Sequence, residues 1–343
     1  MPSHGPRSEL REIVAWPGGF AVLGKDGRGR PVVWTSRDGS DWSVHRSPAR
    51  SWPAPHLGAI GDRLVIVTSV SEGARDQLVA WSSTDGIDWR RAPDQPGMAL
   101  PLRPPSGTFH LEPLATANGR ILAVGSWEGC CGGITTPFAR GSWVALAMAA
   151  AERQSNDLAW TSTDGVHWER QPVTASLRSI ECLVGAGDRF LAVDYDTPLI
   201  ASSDGVHWSA VGDVPMVQSA GETACVVPTR SGHLQVGRAD AAPGTGLPDS
   251  AGTAISADGV TWSAITAHDG MDWTDEVAVL GDLVVLDGWA NGTAPSDDQP
   301  MQVASADGGA TWQPIEGWPS TTVATDGRVV VAVGDGAWVA PLP

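Results

Sequence analysis

The sequence is poor in basic residues and has no long apolar run. Its 22 Lys and Arg residues are outnumbered by 39 Asp and Glu residues, which gives a formal net charge of −17. A general nucleic-acid binder needs the opposite charge, because phosphate contacts supply most of its affinity. No stretch approaches the roughly 20 apolar residues that a membrane-spanning helix requires. We therefore expect neither a nucleic acid nor a membrane as a partner.

Cysteines and targeting signals are also scarce. Four cysteines are too few to hold a chain of 343 residues together, and a chain of this size can build a core without them. Cys130 and Cys131 are adjacent, and they either form a vicinal disulfide or remain two thiols. Cys182 and Cys225 start two matching apolar segments, and we interpret them as free buried cysteines, with a pairing across neighbouring units as the alternative. The N-terminus lacks the apolar segment of a signal peptide, so the protein is cytoplasmic as written or secreted with its signal removed.

A short motif recurs along the whole chain: Ser, any residue, Asp, Gly, two further residues, then Trp. Five copies lie at 36–42, 83–89, 162–168, 202–208 and 256–262, and a copy one residue longer lies at 305–312. Upstream of each copy are two apolar segments joined by a turn rich in Gly, Asn or Asp, which is typical of a β-hairpin. A third segment leads into the motif and a fourth follows its Trp. Repeats of about 40 to 50 residues with four strands are typical of propeller blades.

The repeat therefore predicts an all-β fold, a single β-propeller domain spanning 1–343, with four strands (A to D) in each blade. Seven first hairpins can be counted against six complete motifs, so we predict seven blades, with six as the alternative. The last unit, 320–343, offers three strands. Residues before Glu12 could supply its fourth strand and close the ring, which would remove exposed strand edges.

The motif resembles the Asp-box, or BNR repeat, of sialidase-like β-propellers, which has the form S-x-D-x-G-x-T-W. Residues 305–312 match that form in full, and the other five copies are a shortened variant. The resemblance implies that each Asp carboxylate accepts backbone N–H groups inside a C–D turn, while the Trp packs against the sheet. Sialidases of this family have an Arg-Ile-Pro-like motif early in the chain and a tyrosine nucleophile late in it. No Arg-Ile-Pro motif is found here, and the single tyrosine, Tyr195, lies in the fourth unit, so the resemblance does not imply sialidase activity. The fold hosts enzymes, assembly factors and receptors alike.

The two faces of the predicted propeller differ in loop length. The A–B and C–D turns share one face and are short, whereas the B–C and D–A loops share the other face and are long. The longest insertion, 126–157, contains an Ala- and Leu-rich segment at 142–153 that predicts a short helix. Since loops held by a rigid scaffold often carry function, we interpret the long-loop face as the working face and 126–157 as its lid.

Acidic residues and one histidine lie just before the A strands of six units. They are Glu12, His56, Glu112, Glu181, Glu222 and Glu276. If these positions are equivalent, they surround the mouth of the central channel as acid/base or ligand-contacting groups, and a solvated rim is the alternative. Clustered carboxylates repel one another, which raises pKa values or recruits a cation, so a divalent cation at this ring is the one cofactor candidate. Other candidate ligand contacts near the long loops are His110, Trp52, Trp127, Trp143, Trp273 and Trp289.

These observations give three hypotheses. The leading one is a monomeric propeller that binds a small polar or glycan-like ligand at the acidic channel mouth. The first alternative is a glycoside- or uronide-acting enzyme, a hydrolase or lyase, that uses ring carboxylates and a histidine. The second alternative is a protein-interaction scaffold.

Overall fold

The computed structural model describes residues 9–49, 55–72, 75–101, 108–128, 158–172, 180–194, 197–212, 225–239, 250–268, 271, 273–290, 299–315, 323–325, 329–333 and 337–341. These residues form 28 β-strands and one short 3₁₀ turn, Pro96–Met98. The helix predicted at 142–153 and the lid from 129 to 157 lie outside the described residues. None of the helical structure described has the length and apolar character needed to cross a membrane.

Antiparallel sheets follow one another along the chain, and the strand order in each sheet is the order in the sequence. Blade 1 contains β1 (Glu9–Trp16), β2 (Gly19–Lys25), β3 (Pro31–Ser36) and β4 (Ser43–Arg46). Blade 2 contains β5 (His56–Ile60), β6 (Arg63–Glu72), β7 (Arg75–Ser83) and β8 (Arg90–Arg91). Blade 3 contains β10 (Ala115–Ala117), β11 (Arg120–Glu128), β12 (Leu158–Ser162) and β13 (Glu169–Gln171), and β9 (Thr108–Leu111) also pairs with β11.

The remaining sheets repeat this arrangement. Blade 4 contains β14 (Ile180–Ala186), β15 (Arg189–Asp194), β16 (Thr197–Ser202) and β17 (Ser209–Gly212). Blade 5 contains β18 (Cys225–Thr229), β19 (Gly232–Ala239), β20 (Ser250–Ser256) and β21 (Thr266–Ala267). Blade 6 contains β22 (Trp273–Leu280), β23 (Leu283–Ala290), β24 (Gln299–Ser305) and β25 (Gln313–Pro314). A last sheet contains β26 (Val323–Thr325), β27 (Val329–Val333) and β28 (Ala337–Pro341).

The A strands form the inner wall of a single β-propeller. Each A strand contacts the A strand of the next sheet, from β1 to β5 and onward to β22, and β26 contacts both β22 and β1. The described residues therefore form six four-stranded blades, not the seven that we predicted, and a three-stranded sheet lies between blade 6 and blade 1. Residues from Glu9 onward do not complete that sheet, because they already pair with β2. Residues 1–8 lie outside the described part of the chain.

Apolar side chains on both faces of the B strands of blades 1, 2, 3, 4 and 6 join neighbouring blades. Successive residues of a strand point to opposite faces. Leu64 of β6 packs with Leu23 of blade 1, whereas the next residue, Val65, packs with Ile121 of blade 3. The alternation lets one strand contribute to two interfaces, so the core lies between the blades.

The six repeated motifs form the turns between the C and D strands, as the sequence predicts. In blade 4, the N–H groups of Val206 and His207 donate to Asp204 Oδ1 at 2.8 and 2.9 Å, and the Gly205 N–H donates to Ser202 Oγ at 2.8 Å. Gly205 has a φ of 76°, which favours glycine. The same carboxylate role is taken by Asp38, Asp85, Asp164, Asp258 and Asp307. These six aspartates are structural.

Candidate functional site

The register of the A–B hairpins defines which A-strand residues are equivalent. In each hairpin we number the paired residues outward from the turn, so the pair next to the turn is the first. The fifth residue of strand A then lies opposite the fifth residue of strand B. This fifth ring position is held by Glu12, His56, Cys182, Cys225 and Glu276 in blades 1, 2, 4, 5 and 6. In blade 3 the Glu112 N–H donates to the carbonyl of Val124, the fifth residue of its B strand, at 2.8 Å. Four predicted ring residues, from blades 1, 2, 3 and 6, are therefore at one level of the channel wall.

Glu12 and His56 join blades 1 and 2 directly. Glu12 Oε1 lies 2.6 Å from His56 Nδ1, and Glu12 Oε2 accepts the Leu57 N–H at 2.6 Å. The two side chains remain 20% and 13% exposed, respectively, so the pair is shielded without being sealed from solvent. It lies at the end of the A strands where the long loops enter.

The surroundings of His56 favour its charged form. Burial by itself would lower the pKa of His56, but the hydrogen bond to Glu12, the charges of Glu12 and Glu112, and a hydrogen bond with the Leu111 backbone together raise it above its ordinary value. The imidazole donates to acceptors in these contacts. The carboxylates of blades 1 and 3 thus favour the protonated form of an imidazole from blade 2.

Two other predicted ring members do not occupy this position. Glu181 lies at a β-bulge, because Ile180 pairs with Asp194 while Cys182 pairs with Val193. A bulge inserts one extra residue, so the residue equivalent to Glu12 is Cys182 and the predicted equivalence of Glu181 is wrong. Glu222 lies outside the described residues, and Cys225 takes the ring position in that blade.

Cys182 and Cys225 form a disulfide between the A strands of blades 4 and 5, with a Cα–Cα distance of 5.1 Å. Our interpretation of two free buried cysteines is therefore wrong, and the alternative of a pairing across neighbouring units is confirmed. Equal depth along adjacent A strands brings the two Cβ atoms into range, as the matching places of the two cysteines in the sequence had suggested. Cys130 and Cys131 lie outside the described residues.

The predicted ligand-contacting residues are spread over blades 3 and 6. His110 lies on β9 and is exposed. Trp127 lies on β11 opposite Phe109. Trp273 and Trp289 hold opposite register positions on β22 and β23, at the long-loop end of blade 6, and Trp289 is half-buried. Trp52 and Trp143 lie outside the described residues.

The described residues contain no group of three or more His, Cys, Asp or Glu side chains arranged to hold a metal ion. The divalent cation suggested by the sequence therefore has no support from this part of the chain. The Glu12 carboxylate already accepts two hydrogen bonds from protein groups.

Sequence reasoning missed two clefts between blades 1 and 2. One, of about 550 Å³, is lined by Trp16, Arg37, Asp38, Asp41, His45 and Asp85, among others. The other, of about 540 Å³, has Arg30, Arg46, Ile87 and Trp89 in its lining. A sequence signal was present at the first cleft. The last four motifs place a donor beside the turn carboxylate, such as His167 at 2.6 Å from Asp164 Oδ2, whereas the first two have a second acid there, Asp41 and Asp88.

Comparisons with known proteins support the fold. No family model matches the sequence, and the curated proteins include no significant match. Among solved structures, YCF48 bound to D1 peptide superposes with a TM-score of 0.53 at 13% identity over 92% of this chain and 82% of its own. YCF48 from Cyanidioschyzon merolae gives 0.50 at 14% identity, over 99% and 96%. An ulvan lyase bound to -[GlcA(1-4)Rha3S]- gives 0.50 at 12% identity, over 99% and 97%. At such identities the similarity shows the β-propeller fold alone.

Proposed function

We propose that this chain is a binding propeller of the Asp-box type that takes a small polar or glycan-like ligand at the channel mouth on its long-loop face. The observation that supports this proposal is the cluster of Glu12, His56 and Glu112. It brings charged side chains of three consecutive blades to one level of the channel wall.

The chemistry of the cluster favours binding over proton transfer. His56 donates to acceptors in its contacts, and both oxygens of Glu12 accept hydrogen bonds from blade 2. A general base needs an acceptor within reach of the substrate proton, which the His56 ring does not offer while its hydrogen bonds hold. Two carboxylates beside one histidine leave a net negative charge whether or not the imidazole is protonated, which suits hydroxyl-rich or positively charged ligands.

Calorimetric titration with neutral, uronate-containing and amino-bearing oligosaccharides tests the proposal. We expect at least one class to bind and Glu112→Gln to weaken that binding by about tenfold or more. The melting temperature should decrease only slightly, because the variant loses one charge interaction with His56. Glu169→Gln, on the exposed D strand β13, is the matched control and should bind like the wild type. Equal affinities for Glu112→Gln and the wild type would refute the site, as would the absence of binding by all three classes.

The two alternatives stay predictions, and the same panel tests the first of them. Cleavage of any oligosaccharide, with turnover lost but binding kept in Glu112→Gln, favours the glycoside- or uronide-acting enzyme. A scaffold instead uses a surface, and its best candidate is the pair of clefts between blades 1 and 2, beside which Val44 and Ile87 are 58% and 53% exposed.

A further inference from the structure

The interface between blades 4 and 5 differs from the other interfaces between four-stranded blades. In each such blade, the second and fourth residues of strand B, counted from the hairpin turn, face the preceding sheet, as Leu64 and Ile66 face Leu23. Five of the six blades have apolar pairs here: Phe20 with Val22, Leu64 with Ile66, Ile121 with Ala123, Phe190 with Ala192, and Val284 with Leu286. Blade 5 has His233 and Gln235.

The C strand of blade 5 adds little apolar bulk to the same face, because the residue opposite Gln235 is small. Directly opposed residues of an antiparallel pair share a face of the sheet. In blades 1, 2, 3, 4 and 6 the C-strand residue opposite the fourth B-strand residue is Trp34, Trp81, Trp160, Ile200 or Val303. In blade 5 it is Ala254. The face of blade 5 that meets blade 4 therefore has less apolar bulk than its counterparts.

Several buried polar atoms on this face have no hydrogen-bond partner in the structure. Gln235 is 1% exposed, and both its amide nitrogen and its amide oxygen are unpaired. His233 Nδ1 and Trp262 Nε1, also in blade 5, are unpaired as well. The equivalent Trp168 Nε1 of blade 3 donates to the Gly165 carbonyl at 3.3 Å, whereas Trp208 Nε1 of blade 4 is unpaired like that of Trp262. The polar groups particular to blade 5 are therefore those of His233 and Gln235. Buried polar groups normally have partners, and ordered water supplies them where protein does not.

The disulfide joins these same two blades. Cys182 and Cys225 are 9% and 6% exposed and belong to one buried cluster with Leu191 and Val193 of blade 4. A covalent link therefore crosses the interface that has unpaired polar groups where its counterparts have apolar pairs. Two independent features, the polar B-strand face and the disulfide, coincide at one place in the ring.

We propose that the interface of blades 4 and 5 is a joint whose opening is controlled by the redox state of the disulfide. Its polar seam consists of the side chains of His233, Gln235 and Trp262, which bind water. While the disulfide is intact, it holds the two blades together at this seam. A small dithiol opens it. One thiolate of the reductant attacks a protein sulfur and forms a mixed disulfide, and its second thiol releases the protein. Cys182 and Cys225 gain two electrons and two protons as thiols, while the dithiol is oxidised to its own disulfide. The seam then separates locally, because fewer apolar contacts oppose the entry of water.

Hydrogen exchange of the full-length protein, measured strand by strand with mass spectrometry, tests the joint. In the double variant Cys182→Ser, Cys225→Ser we expect amides of β15 and β19 to exchange at least about tenfold faster than in the wild type, with β2 and β6 almost unchanged. If the double variant does not fold, wild-type protein treated with dithiothreitol under native conditions gives the same comparison. An equal increase in all blades, or no increase, overturns the proposal. So does a titration of the unreduced, denatured protein that finds Cys182 and Cys225 as free thiols.

A repair variant separates the seam from a general effect of the disulfide. Gln235→Leu restores an apolar side chain of the kind that Ile66 and Leu286 provide. In the double cysteine variant it should return exchange of β15 and β19 toward wild-type rates. The control, Gln77→Leu on β7 of blade 2, should leave those rates unchanged. If Gln235→Leu folds but gives no added protection, the polar seam is not what opens.

Discussion

At the scale of single residues, His56 is the group whose charge is most tied to the fold. Its folded-state pKa is raised above 6.5 because contacts with Glu12, Glu112 and Leu111 outweigh burial. A group of this kind stabilises the folded protein below its unfolded-state pKa, and that contribution is lost as pH rises through the folded-state pKa. We therefore expect the wild type to lose stability relative to His56→Gln as pH increases above about 6.5. His233, whose pKa is lowered chiefly by burial, acts in the opposite direction in both proteins.

A series of melting curves across this pH range measures the effect. His110→Gln is the matched control, because it removes an exposed histidine of neighbouring β9 and should keep the wild-type pH dependence. Parallel curves for the wild type and His56→Gln would show that the charge of His56 does not contribute to stability.

The sequence predicted this cluster only in part. Glu12, His56 and Glu112 were identified because each precedes an apolar A strand, and the register brings them to one level. Glu181 was misplaced by one residue, because it was chosen as the acidic residue before the apolar strand, whereas the fifth residue counted back from the hairpin is Cys182. The contact of Glu12 with the Leu57 backbone was also beyond prediction, because it depends on how closely two blades approach.

At the scale of secondary-structure elements, two tight turns in neighbouring blades differ in how closely they are packed. Gly187 in the A–B turn of blade 4 and Gly165 in the C–D turn of blade 3 both have positive φ, 66° and 73°. A Cβ added at Gly187 meets nothing within 4 Å, whereas one at Gly165 would lie 2.5 Å from Val65 Cγ2. We expect Gly187→Ala to cost about 1 kcal/mol through backbone strain alone. Gly165→Ala should cost more, because Val65 in blade 2 must also shift.

Urea denaturation of both variants gives the comparison, with each as the control for the other. Equal losses in the free energy of unfolding would mean that this C–D turn does not press on the preceding blade.

The repeated motif predicted the position of the C–D turns well, because Ser, Asp and Gly each satisfy a local requirement. Their contact with a neighbouring blade could not be predicted, since it is set by the twist and spacing of whole sheets.

At the scale of the whole molecule, the three-stranded sheet closes the ring. Val331 of β27 is fully buried and packs in one cluster with Ile13 and Phe20 of blade 1. Removing residues 316–343 would expose these apolar side chains and the β1 face. We expect the truncated chain to associate into oligomers, whereas the full chain runs as a monomer in size-exclusion chromatography with light scattering. A monomeric truncated chain with the wild-type melting temperature would show that six blades close the ring unaided.

The repeat predicted the propeller and the order of its blades, because each unit carries its own hairpin and turn signals. It did not predict that the last sheet has three strands among the described residues. That outcome depends on Glu9 and Leu10 pairing with β2, a choice between two partners that local sequence does not decide. Likewise, His233 and Gln235 are visible as polar residues in an apolar strand, but only the register shows which neighbour they face.

The link between Cys182 and Cys225 also determines what a single break in the backbone would do. The two residues are 43 positions apart and bracket the B, C and D strands of blade 4. A protease that nicks the chain once anywhere between them leaves two fragments that remain one covalent molecule until reductant is added. A nick in any other described blade leaves fragments joined by packing and hydrogen bonds alone. Blade 4 is thus the part of the described ring in which a cut chain keeps its covalent continuity.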